Sequence, residues 1–190
     1  SLLLYDQFPY LLIFLTDLFP NEVAFGHATE ETRGRIQFVV TPVNATDVPT
    51  ELTGFRTMFT AFHHFRPEAA RKVLEDAVSK RQGIGIFEVT ERSPGPILAM
   101  CLTGIMVLFM VPFIRPFKLS RIIWTYLIPL MPVLTPLDGI VSCLRTYSVP
   151  ELEQLVDGLD DFEWHIGAQK EGKNPGNLTY LVGYPRRPKS

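Results

Sequence analysis

Residues 55–92 read FRTMFTAFHHFRPEAARKVLEDAVSKRQGIGIFEVTER, and this stretch decides the predicted fold. Its first part, Phe55–Phe62, is rich in aromatic residues and predicts a strand. From Pro67, apolar residues recur at helical spacing between charged ones, so an amphipathic helix follows. Ile84–Val89 is an apolar run that predicts a buried strand. A helix between two such strands is typical of a parallel sheet covered by helices.

The same alternation extends to both sides of this stretch. Leu11–Leu15 and Ile36–Val40 predict two further buried strands, with a helix over Glu22–Glu31 between them. Near the end of the chain, residues 150–159 predict an amphipathic helix. Two closing strands are expected at Phe162–Gln169 and Leu178–Tyr184, joined by the polar turn Lys170–Asn177. We therefore expect an α/β fold with a mostly parallel sheet and an antiparallel closing strand.

Composition excludes several classes of function. The 190 residues suit one domain, and a formal net charge of −2 with a pI near 6.1 leaves no basic stripe for nucleic acid. Cys101 and Cys143 lack metal or redox spacing, which favours a reduced compartment and predicts no metal site. The expected location is therefore the cytoplasm, with association with a membrane left open by the hydrophobic segments.

Two uncharged segments are the unusual feature of the sequence. No residue in the range 93–114 is charged, and a second uncharged stretch covers 122–137. We therefore expect an apolar insertion over residues 93–137. Three interpretations remain open, namely a buried or lid-forming helix, a helix on a membrane surface, and a span within residues 97–114. Flanking prolines, Gly104 and basic residues on both sides weaken the interpretation as a span.

Polar residues at strand ends are the candidate ligand-binding residues, because ligands bind at the carboxyl ends of parallel strands. Asp17 follows the first strand, and its two acceptor oxygens suit the hydroxyl groups of a ribose. It could equally cap the helix that begins near Pro20. The loop Asn44–Asp47 follows the next strand and could contact the edge of an adenine, or form an ordinary Asx turn.

His63 and His64 follow the third predicted strand. Adjacent strand residues point to opposite faces, so the two are poor joint ligands for one metal ion. No Cys or carboxylate stands beside them at ligand spacing either. One of them could act as a catalytic base or line the cleft. The alternative is a structural pair, with one ring packed and the other hydrogen-bonded.

Further polar residues near the apolar insertion are candidates for binding a substrate. Glu88 and Arg92 stand at the end of the fourth strand, where a salt-bridged loop is the alternative to substrate binding. Others form a polar island around the sequence DGIVSCLRTYS, which could orient a substrate or anchor a lid. The candidate substrate-binding residues are Glu88, Arg92, Tyr126, Asp138, Arg145 and Tyr147.

Four strand ends resemble motifs of the class I S-adenosylmethionine-dependent methyltransferases. TDLFPN (Thr16–Asn21) is similar to the second-strand motif, and VNATDVP (Val43–Pro49) to the third-strand motif. TAFHHFRPEAARKVLEDA (Thr60–Ala77) is similar to the fourth strand and its helix, and GIGIFEVTER (Gly83–Arg92) to the fifth strand. The order and spacing of these motifs resemble an uncharacterised branch of the family that has an apolar insertion before its last helix.

The resemblance implies a Rossmann-like methyltransferase domain that binds S-adenosylmethionine and methylates a small hydrophobic or lipid-like acceptor. At the adenine position these enzymes usually have Asp, whereas this chain has Asn44. His63 or His64 would border the site of methyl transfer. The cofactor-binding residues implied by the resemblance are Asp17 and Leu18 at the ribose, and Asn44, Ala45 and Thr46 at the adenine.

One part of the family pattern is not found in this sequence. No glycine-rich loop of the G-x-G-x-x-G type stands near the N-terminus, and Gly83–Gly85 precedes a strand instead of following one. In the family's sheet, the first strand lies between the strands that match Leu11–Leu15 and Phe55–Phe62. Without it the sheet would have a gap with unpaired edges, so we expect a fragment or an N-terminally shortened product. The alternatives to an enzyme are a non-catalytic remnant that acts as a binding module and a membrane-anchored protein.

Overall fold

A computed structural model describes residue 8, residues 10–170 and residues 177–186 of the chain. The predicted turn Lys170–Asn177 therefore lies mostly outside the described residues. The chain forms two compact units, Ser1–Thr53 and Gly54–Ser190. The single domain expected from the length of the chain stays a prediction.

The first unit is built on two short parallel strands. β1 (Ile13–Leu15) pairs in parallel with β2 (Ile36–Phe38), and both lie within the apolar runs that predicted them. The expected burial was wrong for β1, which has no buried residue, and Ile36 is the one buried residue of β2. α1 (Glu22–Glu31) connects the strands and has the predicted bounds. Asn21 caps this helix, since its side-chain oxygen accepts a hydrogen bond from the Ala24 N–H at 3.1 Å.

The second unit contains a four-stranded sheet in the order β3-β4-β6-β5. Its strands are β3 (Arg56–Phe59), β4 (Ile84–Glu88), β5 (Phe162–Lys170) and β6 (Asn177–Pro185). β4 runs parallel to β3, while β6 runs antiparallel to both β4 and β5. Three of the four strands therefore share one direction, and the closing strand is reversed. The predicted α/β class is confirmed, in small and mixed sheets that are compatible with a Rossmann-like fold.

Two amphipathic helices supply much of the core of the second unit. α2 (Pro67–Ser79) has Pro67 in its first turn, where a missing N–H costs nothing. α6 (Val149–Val156) packs against α2 and β5 and begins with a capping box between Ser148 and Glu151. The buried residues of the two helices are Ala70, Val73, Leu74, Ala77, Leu152 and Leu155. This burial follows the predicted helical spacing.

The apolar insertion folds as helices whose surface is largely exposed. Its elements are α3 (Pro94–Met110), α4 (Leu119–Ile122), a π-helical turn (Ile123–Leu127) and α5 (Leu130–Arg145). We call residues 94–145 the apolar hairpin, because α3 and α5 pack against each other. Within the described residues, Pro94–Phe113 is long and apolar enough to cross a membrane, and 11% of its apolar window is buried. α3 is therefore not a buried core helix.

The third strand is shorter than the predicted Phe55–Phe62, because the chain turns at Thr60. This residue has a left-handed backbone with a φ of 48°, and Phe62–His64 then form a 3-10 turn. The expectation that His63 and His64 point to opposite faces of a strand was therefore wrong. Their ring centroids lie 4.3 Å apart.

Candidate functional site

Glu88 and His63 form a buried pair at the carboxyl ends of β3 and β4. His63 Nδ1–H donates a hydrogen bond to Glu88 Oε2 at 2.7 Å. Because a carboxylate only accepts hydrogen bonds, this contact places the proton on Nδ1. The two side chains are 2% and 4% exposed, so water has little access to the pair. A charge-assisted bond in such surroundings holds the imidazole in one orientation.

The second oxygen of Glu88 caps the 3-10 turn that carries the histidines. Oε1 accepts hydrogen bonds from the backbone N–H groups of Ala61, Phe62 and His63 at 3.1, 2.7 and 3.3 Å. The turn at Thr60 takes these N–H groups out of the sheet, and the carboxylate supplies the acceptor that they need. Glu88 therefore sets both the position of the turn and the orientation of the His63 ring.

The free ring nitrogen of His63 is the most distinctive atom of this site. Nε2 is buried and has no hydrogen-bond partner among the described residues. In the neutral imidazole, a proton on Nδ1 leaves Nε2 with a lone pair that can accept a proton from another group. A buried acceptor without a partner costs free energy, so this atom invites a functional explanation.

His64 differs from its neighbour in burial. It is exposed, whereas His63 is buried. The described part of the chain has no group of His, Cys, Asp and Glu side chains suited to a metal ion. Of the two predicted catalytic histidines, His63 is the one in a defined polar environment.

Two threonines extend the polar network from β4 to α5. The hydroxyl groups of Thr90 and Thr146 lie 2.6 Å apart, and that of Thr146 donates to the Ser142 carbonyl oxygen at 2.9 Å. The Thr90 hydroxyl also lies 3.5 Å from Glu88 Oε2. The base of the apolar hairpin is thus tied to the end of β4. Sequence reasoning missed both threonines, since Thr is common at the ends of strands and helices.

Tyr147 and Arg92 belong to the same unit as this network and have partners within the protein. Tyr147 donates its hydroxyl to the Phe65 carbonyl oxygen at 2.7 Å, and Arg92 Nη1 lies 3.0 Å from Glu151 Oε1. Burial, and then the nearby Glu151 carboxylate, raises the pKa of Tyr147. Partial burial opposes the ionisation of Glu151, but hydrogen bonds from Ser148 and Arg92 lower its pKa overall. Tyr147 is therefore uncharged at neutral pH, and its hydroxyl is held by the Phe65 carbonyl oxygen. Arg92 forms a salt bridge with Glu151, which was the alternative to a contact with substrate.

The remaining predicted substrate residues lie on the apolar hairpin. Tyr126 donates its hydroxyl to the Leu108 carbonyl oxygen, while Asp138 and Arg145 are exposed on α5. Among the described residues, neither Asp138 nor Arg145 forms a hydrogen bond or ion pair with Glu88. A cleft of about 270 Å³ lies within the hairpin. Its lining is mostly apolar and includes Thr103, Met106, Met110, Ile114, Arg121 and Met131.

The cofactor-binding residues implied by the resemblance lie together in the first unit. Asp17 follows β1 and Asn44 follows β2, and the Val43 N–H donates to the Asp17 carbonyl oxygen at 2.8 Å. This hydrogen bond lies beyond the paired strands and joins the two loops. Leu18 is about half exposed, at 48%, and Ala45 is partly buried.

Each of these two loops is preorganised by a short side-chain turn. Asp17 Oδ1 accepts a hydrogen bond from the Phe19 N–H at 2.8 Å. Asn44 Oδ1 accepts from the backbone N–H and the hydroxyl of Thr46 at 3.0 and 2.9 Å. The Asx turns that were the structural alternative are therefore present. Asp17 does not cap α1, because Asn21 does so.

Two solved structures are similar to this chain. One, described as "A Pericyclic Reaction enzyme", has a TM-score of 0.53 and 16% identity over 97% of this chain and 39% of its own. The other, a Rhodobacter sphaeroides protein assigned to the Zn-dependent alcohol dehydrogenases, has a TM-score of 0.52 and 14% identity over 93% of this chain and 76% of its own. At such identities the likeness shows the fold alone, an α/β fold that enzymes use. No known protein family and no curated protein matches the chain.

Proposed function

We propose that the chain takes part in methyl transfer from S-adenosylmethionine to a small hydrophobic or lipid-like acceptor. The observation that carries the proposal is the junction of two polar loops at the ends of the parallel strands β1 and β2. The hydrogen bond from the Val43 N–H to the Asp17 carbonyl oxygen brings together the loop that contains the Asp17 carboxylate and the loop that contains the Asn44 amide. A nucleoside presents a diol and a base within one small molecule, so two adjacent polar loops of this chemistry suit it.

The side chains of these loops fit the two ends of an adenosine. Asp17 is exposed and uses Oδ1 for the turn at Phe19, which leaves Oδ2 to accept from ribose hydroxyl groups. Asn44 uses its carbonyl oxygen for Thr46, which leaves its amide N–H₂ as a donor. A donor suits a ring nitrogen of adenine, whereas the Asp that is usual in the family would accept from the amino group. The departure at Asn44 thus changes the expected contact without removing it.

The sheet topology also supports the proposal. The resemblance implies a mostly parallel sheet with a reversed closing strand, and β6 is antiparallel between β4 and β5. It also implies that the strand matching β1 and the strand matching β3 flank a further strand, which this sequence does not contain. In the structure, β1 and β3 belong to different sheets.

The chemistry required of the protein is modest. When bound, the cofactor would supply an electrophilic methyl group on a sulfonium. The protein must hold the acceptor in line with that group and exclude competing water, which are effects of proximity and orientation. An acceptor that carries a proton also needs a base.

Calorimetric titration of the full chain with S-adenosylhomocysteine tests the proposal. We expect saturable binding, and we expect Asp17→Ala to weaken it by about thirtyfold, since charge-assisted hydrogen bonds contribute about 2 kcal/mol. Glu51→Ala is the matched control, because Glu51 is another exposed carboxylate of the first unit. Its affinity should equal that of the unaltered chain.

Two results would contradict the proposal. A folded chain that does not bind S-adenosylhomocysteine at all would favour the alternative of a non-catalytic binding module. Equal losses of affinity in Asp17→Ala and Glu51→Ala would show a general electrostatic effect instead of a ribose contact. Circular dichroism of each variant establishes that the chain is folded before it is titrated.

A further inference from the structure

The outer surface of α3 in the apolar hairpin carries no charged residue on any side. Pro94–Phe113 has a mean hydropathy of 2.2. Within α3, however, Gly104 is buried and the other residues are partly or fully exposed. A helix of a soluble protein normally turns one apolar stripe inward and a polar face to water. The strongly exposed apolar side chains of the hairpin include Leu98, Phe109, Phe113, Phe117, Leu119 and Leu127. So large a patch indicates an interaction surface.

Glycines let the two long helices approach closely while their outer faces stay free. A Cβ on Gly104 would lie 2.5 Å from the Pro132 carbonyl oxygen, and a Cβ on Gly139 would lie 2.6 Å from Met100 Sδ. A larger residue at Gly104 would therefore press on the backbone of α5, whereas one at Gly139 would displace the flexible Met100 side chain. Contact through small residues is how helices associate when both are surrounded by lipid.

The charges at the tip of the hairpin are all positive. Residues 111–129 contain Arg115, Lys118 and Arg121 and no Asp or Glu. Arg121 stabilises the tip, because its Nη1 donates to the carbonyl oxygens of Ile114 and Pro116 at 3.0 and 3.3 Å. Arg115 and Lys118 are exposed. Two exposed cations in a segment whose sequence contains no carboxylate would attract anionic phosphate groups.

Aromatic residues accompany these cations. Phe113 and Phe117 are 77% and 66% exposed, and Trp124 and Tyr126 are about half exposed. Aromatic rings with Lys and Arg beside them are typical of segments at the interface between lipid headgroups and acyl chains. Neither a protein core nor an aqueous lid requires this combination.

We propose that the apolar hairpin binds the surface of an anionic lipid bilayer, with its tip inserted into one leaflet. Arg115 and Lys118 would contact lipid phosphates, while the apolar side chains would enter the acyl region. A complete crossing is disfavoured, since it would carry the three cations of the tip through the hydrocarbon and bring the exposed Asp138 towards it. The inference is independent of the proposed methyl transfer.

Vesicle flotation of the full chain tests this inference, with phosphatidylcholine vesicles and with vesicles that also contain phosphatidylserine. We expect the chain to float with both and more strongly with the anionic vesicles. The double variant Arg115→Gln/Lys118→Gln should lower binding to the anionic vesicles by about tenfold or more, because each cation near such a surface adds to the affinity. The matched control is Arg66→Gln/Lys72→Gln, which removes two exposed cations elsewhere in the second unit.

The outcomes separate a membrane from other partners of the hairpin. Absence of flotation with either kind of vesicle would overturn the inference, as would equal binding by the two double variants. A well-defined oligomer in light scattering, combined with absence of flotation, would instead assign the surface to a second copy of the chain.

The depth of Trp124 distinguishes insertion into one leaflet from a crossing. In the variant Trp164→Phe, Trp124 is the remaining tryptophan, because the chain has two. Lipids brominated at a shallow acyl position should quench its fluorescence more than lipids brominated near the chain ends. Stronger quenching by the deep bromines, or quenching by neither, would overturn the proposed position of the tip.

Discussion

At the scale of single residues, Glu88 does the most to shape the candidate site. One of its oxygens holds the protonated ring nitrogen of His63, and the other caps three backbone N–H groups of the turn. The result is a histidine with a fixed tautomer and a buried, unpartnered Nε2. A carboxylate with this many internal bonds is a positioning residue, whose effect on any reaction would pass through His63.

Glu88→Gln should therefore destabilise the second unit. If the Gln oxygen keeps capping the turn, its amide must donate to His63 Nδ1, which forces the other tautomer and leaves a buried Nε2–H without an acceptor. The charge of the carboxylate is lost as well, so we expect the free energy of unfolding to fall by about 3 kcal/mol. Urea denaturation followed by circular dichroism measures this change. Glu75→Gln is the control, because Glu75 is 48% exposed and its pair with Arg71 should contribute less than about 0.5 kcal/mol. Similar midpoints for the two variants would contradict the account.

Sequence reasoning placed both members of this pair at strand ends but did not connect them. Glu88 and His63 are 25 residues apart, and they meet because Phe59 is in register with Phe87 in the parallel pair of β3 and β4. Register depends on how two strands pack, and no pattern within either strand encodes it. Asp17 and Asn44 could be connected more easily, since both follow apolar runs that predict neighbouring strands.

At the scale of elements, the close contact of α3 and α5 makes the clearest prediction. Gly104→Ala should destabilise the apolar hairpin, because even a methyl group would meet the Pro132 carbonyl oxygen. Overpacking of this kind costs about 1–3 kcal/mol, and it outweighs the better helix propensity of Ala. Thermal unfolding, in a solution that keeps the unaltered chain monodisperse, measures the loss.

Gly95→Ala is the control for this change. Gly95 belongs to the same helix, and no atom lies within 4 Å of the position that its Cβ would take. Its melting temperature should stay unchanged or rise. If Gly104→Ala melted at the same temperature as Gly95→Ala, the close contact between α3 and α5 would be contradicted.

Periodicity predicted the elements better than it predicted their ends. The helix over Glu22–Glu31 and the one beginning at Pro67 have the expected positions, because an apolar stripe and capping residues specify a helix locally. The strand from Phe55 was predicted too long, since the turn at Thr60 depends on the distant Glu88. The bend in the apolar hairpin was also not predicted, because a uniformly apolar run has no periodicity to mark a break.

At the scale of the whole molecule, the chain combines two units with different candidate roles. The first unit has the adjacent Asp17 and Asn44 loops, and the second has the His63–Glu88 pair and the apolar hairpin. The order of the motifs along the sequence was enough to predict an α/β fold with a reversed closing strand. The identity of a methyl acceptor could not be predicted, because the apolar hairpin offers hydrophobic surface without a specific set of polar groups.

Hydrogen–deuterium exchange of the full chain, with and without saturating S-adenosylhomocysteine, tests whether the Asp17 and Asn44 loops bind an adenosine. We expect slower exchange of the backbone amides in Asp17–Phe19 and in Val43–Thr46, because a bound adenosine would cover both loops. Unchanged exchange in these two segments, whether or not other segments become protected, would contradict the proposed cofactor site.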